Sequence, residues 1–126
     1  MKTIHIGVLG CGTVGTGVVR MLLERRDLIR RRVGADLVLK SIADIDIDRD
    51  RGFPIDRALF TKDARQVVLD PQIDIVVETI GGTTIAKDLI LMAFQNGKHV
   101  VTANKALLAG EGIRLFAKAW ENGIDL

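Results

Sequence analysis

Short apolar runs alternate along this chain with longer stretches of helical period, the order expected when parallel strands are joined by crossover helices. Thr3 to Leu9 reads as a first strand ending in glycines, and Val14, Val18, Met21 and Leu22 then fall on one helix face. Leu37 to Ala43 reads as a second strand. The acidic and basic stretch Asp44 to Arg57 follows, where Gly52 and Pro54 discourage regular structure, and Ala58 to Phe60 suits a short peripheral strand. Ile73 to Glu78 is mostly apolar and lies between Pro71 and Gly81-Gly82, which suits a strand covered on both faces and placed mid-sheet. Thr83 or Thr84 can cap a helix whose Ile85, Leu89, Met92 and Ala93 share a face and which stops at Asn96-Gly97. Lys98 to Thr102 makes a further strand. From Asn104 a last helix carries Ile113, Phe116, Ala117 and Trp120 as one stripe before Asn122-Gly123. The expected class is α/β, a doubly wound and mostly parallel sheet with helices on both faces.

A length of 126 residues suits one domain spanning 1–126, since single cores organise roughly 100 to 200 residues. Ile124-Asp125-Leu126 reads as another strand beginning, and domain boundaries normally fall in polar linkers, so the domain is expected to be truncated there. With 48% hydrophobic and 27% charged residues, the balance is that of a soluble globular chain and not of a disordered one. The net charge of +2 gives no ground for a nucleic-acid or membrane surface. Arg25, Arg26, Arg30, Arg31 and Arg32 form the one basic cluster; it lacks interleaved aromatics and reads as a solvated helix end. Cys11 stands alone, so no intrachain disulfide can form and a reducing cytoplasm is the expected setting. The longest apolar run, Leu89 to Phe94, falls far short of the roughly 20 residues that span a bilayer.

The chemistry concentrates where strands end. Gly10-Cys11-Gly12-Thr13-Val14-Gly15 is a GxGxxG placed directly after the first strand and opening the first helix. In that setting Gly10 permits the tight turn, Gly12 lets the backbone approach a pyrophosphate, and Gly15 lets helix and strand pack closely. The N–H groups and dipole of the helix N-terminus would hold the phosphate charge. A dinucleotide site also asks for an acidic residue after the second strand to accept ribose hydroxyls. Asp44 stands there, farther on than the usual spacing of about 20 residues, with Asp46 and Asp48 as neighbours in competition. Cys11 supplies a small side chain in a tight place. His5 and His99 lack a partner at metal-ligand spacing, so no metal site is expected. Glu78-Thr79-Ile80-Gly81-Gly82 and Thr102-Ala103-Asn104-Lys105 follow two further strands, on the sheet edge where open α/β folds bind ligands. Lys105 opens a helix, where a cation is disfavoured by the dipole, so a functional role is expected of it.

These motifs, taken in order, resemble the homoserine dehydrogenase family. The resemblance rests on the Gly10 to Gly15 loop, on Ile73-Asp74-Ile75-Val76-Val77-Glu78-Thr79-Ile80-Gly81-Gly82 and, most specifically, on Asn96-Gly97-Lys98-His99-Val100-Val101-Thr102-Ala103-Asn104-Lys105-Ala106-Leu107-Leu108-Ala109. It covers essentially the whole chain. It implies a Rossmann-type nicotinamide-dinucleotide domain of an enzyme that interconverts L-aspartate 4-semialdehyde and L-homoserine, a small-molecule substrate, and a homo-oligomeric parent. It implies that Thr13 and Val14 line the pyrophosphate, Thr79 and Gly81 the ribose region, and Lys105 the junction of nicotinamide and substrate. The family's substrate half has no counterpart here, so cofactor binding without turnover is expected. Many members carry an arginine at the end of the second strand where this chain has Asp44, so the expected cofactor is NAD(P) with NAD preferred. A freestanding NAD(H)-sensing domain, or the cofactor domain of another amino-acid-pathway reductase, fits the glycine loop as well.

Overall fold

The computed structural model describes all residues, Met1 to Leu126. In chain order the elements are β1 (Lys2–Leu9), α1 (Thr13–Glu24), α2 (Arg26–Val33), β2 (Ala35–Ala43), a 3-10 turn (Arg57–Leu59), β3 (Phe60–Thr61), α3 (Ala64–Val68), β4 (Ile75–Glu78), α4 (Thr84–Gln95), β5 (His99–Thr102) and α5 (Lys105–Glu121). The sheet runs β3-β2-β1-β4-β5, and every neighbouring pair is parallel. The α/β class holds, with no antiparallel strand.

Two apolar layers cover the sheet. On one face Val19 and Leu22 of α1 close over Ile6 and Val8 of β1 and Leu39 and Ile42 of β2. On the other, Val67 of α3, Leu89, Ile90 and Phe94 of α4, and Leu107 and Leu115 of α5 pack with Val76 and Val100 of the sheet. The chain winds outward from β1 through β2 to β3, then returns to add β4 and β5 on the far side. The carboxyl ends of β1 and β4 therefore flank the switch point, which is where such sheets leave a crevice.

Four local readings of the sequence are corrected. The first crossover is not one helix with a tail but two helices. Arg25, at φ −111° and ψ 19°, breaks α1 from α2, and Gly34 in the left-handed region ends α2. The arginine cluster thus sits largely on α2, a helix with no buried residue, where Arg26 pairs with Asp36 at 2.7 Å and Arg30 with Asp27 at 3.1 Å. In α4 the buried set is Ala86, Leu89, Ile90, Ala93 and Phe94, while Ile85 is 67% exposed. In α5 the buried set is Leu107, Gly112, Leu115 and Ala119. The stripe of Ile113, Phe116 and Trp120 faces outward, Ile113 at 90% and Trp120 at 86% exposure. The helix bears two apolar stripes, and the one carrying Leu107, Leu115 and Ala119 joins the layer around α4. Lastly, the short helix α3 stands where no helix is expected, its start marked by Asp63, whose carboxylate caps it by accepting the Arg65 N–H at 3.0 Å.

Ile124 to Leu126 form no strand, but they touch the β5 edge, with Val100 donating its N–H to the Asp125 carbonyl at 3.0 Å. No helix is long and apolar enough to cross a membrane.

At the amino ends of β4 and β5 a charged cluster holds the loop before β4. The Lys98 side chain is almost wholly buried, and its ammonium donates to the Asp70 and Ile73 carbonyls, the latter at 2.9 Å. Lys40, at the register shift of β2 against β1, pairs with the Asp70 carboxylate. Burial pulls the Lys98 pKa below the ordinary lysine range. The Lys40 hydrogen bond, followed by that from the Gln72 N–H, holds Asp70 below the ordinary carboxylate range. Because its folded pKa is depressed, Asp70 stabilises the fold fully above that range and stops doing so as pH falls through the folded value. Asp70→Asn should therefore lower unfolding free energy by about 1 kcal/mol near neutral pH, with the difference from wild type shrinking below about pH 4. Urea unfolding of both proteins across a pH series measures this, and a difference that grows as the pH is lowered through the acid range would contradict the assignment.

Candidate functional site

The loops at the carboxyl ends of β1, β2, β3 and β4 enclose a cavity of about 450 Å³. Gly10, Cys11 and Gly12 form one wall, Ala43, Asp44 and Ile45 a second, with Lys62 and Ala64 beyond them, and Thr79, Ile80, Ile85 and Leu89 a third.

Gly10 has φ +88° and its N–H binds the Ala43 carbonyl at 2.7 Å. The chain turns there in a conformation that L side chains rarely adopt. Gly15 is fixed by space instead, since a methyl group on it would lie 2.0 Å from the Gly10 carbonyl oxygen. Around Gly12 the space is open: a methyl group there would meet no atom within 4 Å. Gly12 caps α1 without any side-chain hydrogen bond. The first-turn N–H groups of α1 have no intrahelical acceptor, and Thr13 and Val14 are exposed beside them. Glycine loop, free N–H groups and open space together fit a pyrophosphate.

Asp44 lies at the cavity with its carboxylate oriented by the backbone. Oδ2 accepts the Cys11 N–H at 2.7 Å and Oδ1 the Asp46 N–H at 2.8 Å. Each oxygen retains a lone pair for a hydroxyl donor. The two acidic competitors fall away: Asp46 and Asp48 are exposed and do not line the cavity, and Asp48 pairs with Arg57 at 2.6 Å. Ile45, Ile80 and Ile85 present exposed apolar surface to the same space, a setting suited to the flat faces of a base.

Thr79 lines the cavity, yet its hydroxyl is shared between the Leu9 and Gly10 carbonyls at 2.9 Å each. It pins the β4 end to the glycine turn. Gly81 and Gly82 follow at φ +84° and +71° in an exposed bend outside the cavity. Lys105 is exposed at the first position of α5, also outside the cavity. Its position depends on a network that the sequence did not disclose. Glu78 is wholly buried; its carboxylate accepts the Ile80 N–H and the Thr102 hydroxyl, both at 3.1 Å. The Thr102 oxygen accepts the Asn104 N–H at 3.1 Å, and the Asn104 carboxamide caps α5 through Leu107 N–H at 3.0 Å while donating to the Gly82 carbonyl. The ends of β4 and β5 are thereby joined under Lys105.

Lys62 and the three isoleucines also escaped the sequence reading, because their signal is spatial: each needs the neighbouring loops in place to reveal a shared cavity.

The family model described as homoserine dehydrogenase, NAD binding domain, matches residues 10–126. This chain belongs to the homoserine dehydrogenase family, as its NAD-binding domain. It is 39% identical over 126 residues to homoserine dehydrogenase of Bacillus subtilis, covering all of this chain and 29% of that protein. With the homoserine dehydrogenase of Methylobacillus glycogenes it shares 48% identity over 109 residues, 86% of this chain and 26% of that one. The crystal structure of the Staphylococcus aureus homoserine dehydrogenase superposes with a TM-score of 0.91 at 39% identity, over 99% of this chain and 32% of that chain. The chain thus spans less than a third of the length of each of these three homoserine dehydrogenases.

Gly15 and Gly12 should respond oppositely to substitution. Gly15→Ala places a carbon inside van der Waals distance of backbone and should lower unfolding free energy by about 3 kcal/mol or more. Gly12→Val, into open space, should change it by no more than about 1 kcal/mol. Chemical denaturation of both variants checks the pair, and a Gly15→Ala protein as stable as wild type would mean that the α1 contact is looser than described.

Proposed function

We propose that the carboxyl edge of the sheet binds a nicotinamide dinucleotide with NAD preferred over NADP. In a polypeptide of the relatives' length, this domain serves the reversible oxidation of L-homoserine by NAD(P)+ to L-aspartate 4-semialdehyde, NAD(P)H and a proton. The observation that carries the reading is the open space at Gly12, beside the uncapped N-terminus of α1 and inside the cavity that Asp44 also lines.

In this reading Gly10, Gly12, Thr13, Val14 and Gly15 surround the pyrophosphate, the Asp44 carboxylate accepts the adenosine ribose hydroxyls, and the apolar wall of Ile45, Ile80 and Ile85 holds the adenine. Thr79 and Gly81 shape the passage toward the second ribose, Thr79 through its tether to the glycine turn. Lys105 stands at the nicotinamide end. When bound, the cofactor supplies the hydride acceptor. Lys105 supplies a positive charge that stabilises oxygen as the hydroxyl loses its proton, and it steadies the carbonyl formed. Hydride transfer and a homo-oligomeric assembly are proposed for the longer polypeptide, cofactor binding for these 126 residues, and a cytoplasmic setting for both.

The preference for NAD follows from charge. A carboxylate that welcomes the free ribose hydroxyls meets the 2′-phosphate of NADP with repulsion. Lys62, on the facing wall, offsets part of it. Calorimetric titration should show NADH binding, loss of that binding in Gly12→Val, and weaker binding of NADPH by about 1 to 3 kcal/mol, the scale of one charged hydrogen bond. In Asp44→Ser the gap should narrow at fixed ionic strength; an unchanged ratio of dissociation constants would reduce Asp44 to a loop anchor.

For the longer enzyme, Lys105→Ala should depress kcat/KM by about a hundredfold or more with the melting temperature nearly unchanged, since the side chain is exposed. Lost thermal stability with intact turnover would make Lys105 structural.

A further inference from the structure

The loop after β2 reaches back to the glycine turn through two arginines. Arg51 is the unusual one. Its side chain is only 2% exposed, although the neighbouring loop residues Ile45, Asp46, Asp48, Asp50 and Gly52 are exposed. Its guanidinium donates Nε to the Cys11 carbonyl at 2.9 Å, Nη1 to the Arg49 carbonyl at 3.1 Å and Nη2 to the Asp46 carbonyl at 2.5 Å. It stacks over the Phe60 ring at 4.9 Å and lies 3.7 Å from Asp44 Oδ1. Arg49 Nη2 donates to the same Cys11 carbonyl at 3.1 Å, and so does the Thr16 hydroxyl, also at 3.1 Å. The Cys11 N–H is held by Asp44 at 2.7 Å.

A buried cation is tolerated only when its hydrogen bonds and counter-charge are supplied. Here they are supplied largely by backbone carbonyls, one of them 40 residues away in the phosphate-binding turn. Cys11 sits between Gly10 and Gly12, the two residues least able to hold a peptide plane in place. With donors on its carbonyl and an acceptor on its N–H, the two peptide planes that flank Cys11 are fixed before any ligand arrives, which removes an ordering penalty from binding. The turn itself, Gly10 to Gly15, carries no cation. Two guanidiniums behind it therefore add positive potential where a pyrophosphate would sit.

We infer that Arg51, seconded by Arg49, is a positioning residue of the dinucleotide site, holding the Cys11 peptide for pyrophosphate binding and tempering the Asp44 charge that faces the adenosine ribose. The inference rests on the dinucleotide reading above. It also means that Arg51 is not free to grasp a 2′-phosphate, because its side chain is buried and Nε, Nη1 and Nη2 each already donate to a loop carbonyl.

The test is calorimetric titration of the 126-residue protein with NADH and with NADPH, alongside melting temperatures. Arg51→Met should weaken NADH about tenfold, the loss of one charged hydrogen bond at a binding loop. It should weaken NADPH further, widening their ratio about threefold, because Asp44 loses the cation beside it. Arg51→Lys keeps the charge without the planar fork, so the ratio should return toward wild type while NADH affinity recovers only in part. Arg49 is exposed, so Arg49→Met will fold even if Arg51→Met does not. It should weaken NADH about threefold at an unchanged melting temperature. Wild-type NADH affinity in the Arg49 variant would overturn the inference. So would an Arg51→Met loss that is equal for both cofactors and accompanied by a fall in melting temperature, since that is the mark of a purely structural arginine. If the wild-type protein itself binds no NADH, the dinucleotide reading fails first, and the inference with it.

Discussion

Everything at the carboxyl edge depends on how closely α1 approaches the turn that precedes it. With Gly15 lying against the Gly10 carbonyl, no side chain can separate helix from strand, and the first turn of α1 is driven toward the ends of β1 and β4. The Thr79 hydroxyl tightens the same point from the β4 side. The helix N-terminus is thereby brought to the switch point of the sheet, where its free N–H groups open onto a cavity and not onto a neighbouring strand. A side chain at Gly15 would tilt α1 away, carrying with it the Cys11 peptide and its contacts to the loop after β2.

Much of this was legible in the sequence because it is written in local chemistry. Parallel strands announce themselves as short apolar runs, and a glycine turn between strand and helix has few other uses, so β1, β2, β4, β5 and the Gly10 to Gly15 loop were placed within a few residues of their observed bounds. Helix faces were less legible. On α5 the larger and more conspicuous stripe, Ile113, Phe116 and Trp120, faces out, while Leu107, Leu115 and Ala119 turn into the layer around α4. On α4 the buried face includes Ala86 and not Ile85, because Ile85 turns to the cavity at the carboxyl edge.

Within the site, residues whose role is fixed by backbone geometry were found, and those defined by long-range contact were not. Gly12 and Asp44 follow from their positions after strands. Glu78 carries no such mark; its burial and its bond to Thr102 exist only once β4 and β5 are paired. Nothing in the sequence could say that Arg49 and Arg51 would end on a carbonyl of the glycine turn instead of facing the solvent.

The outward stripe on α5 has a practical side. The protein has one tryptophan and no tyrosine, so its near-ultraviolet emission is essentially that of Trp120. An indole at 86% exposure already emits as though in water, and unfolding the chain changes its surroundings little. Fluorescence is thus a poor reporter of folding in this domain, and circular dichroism the better one. The same indole is correspondingly sensitive in the other direction: any body that covers the α5 face removes water from it and shifts its emission to the blue, against a background that unfolding scarcely disturbs.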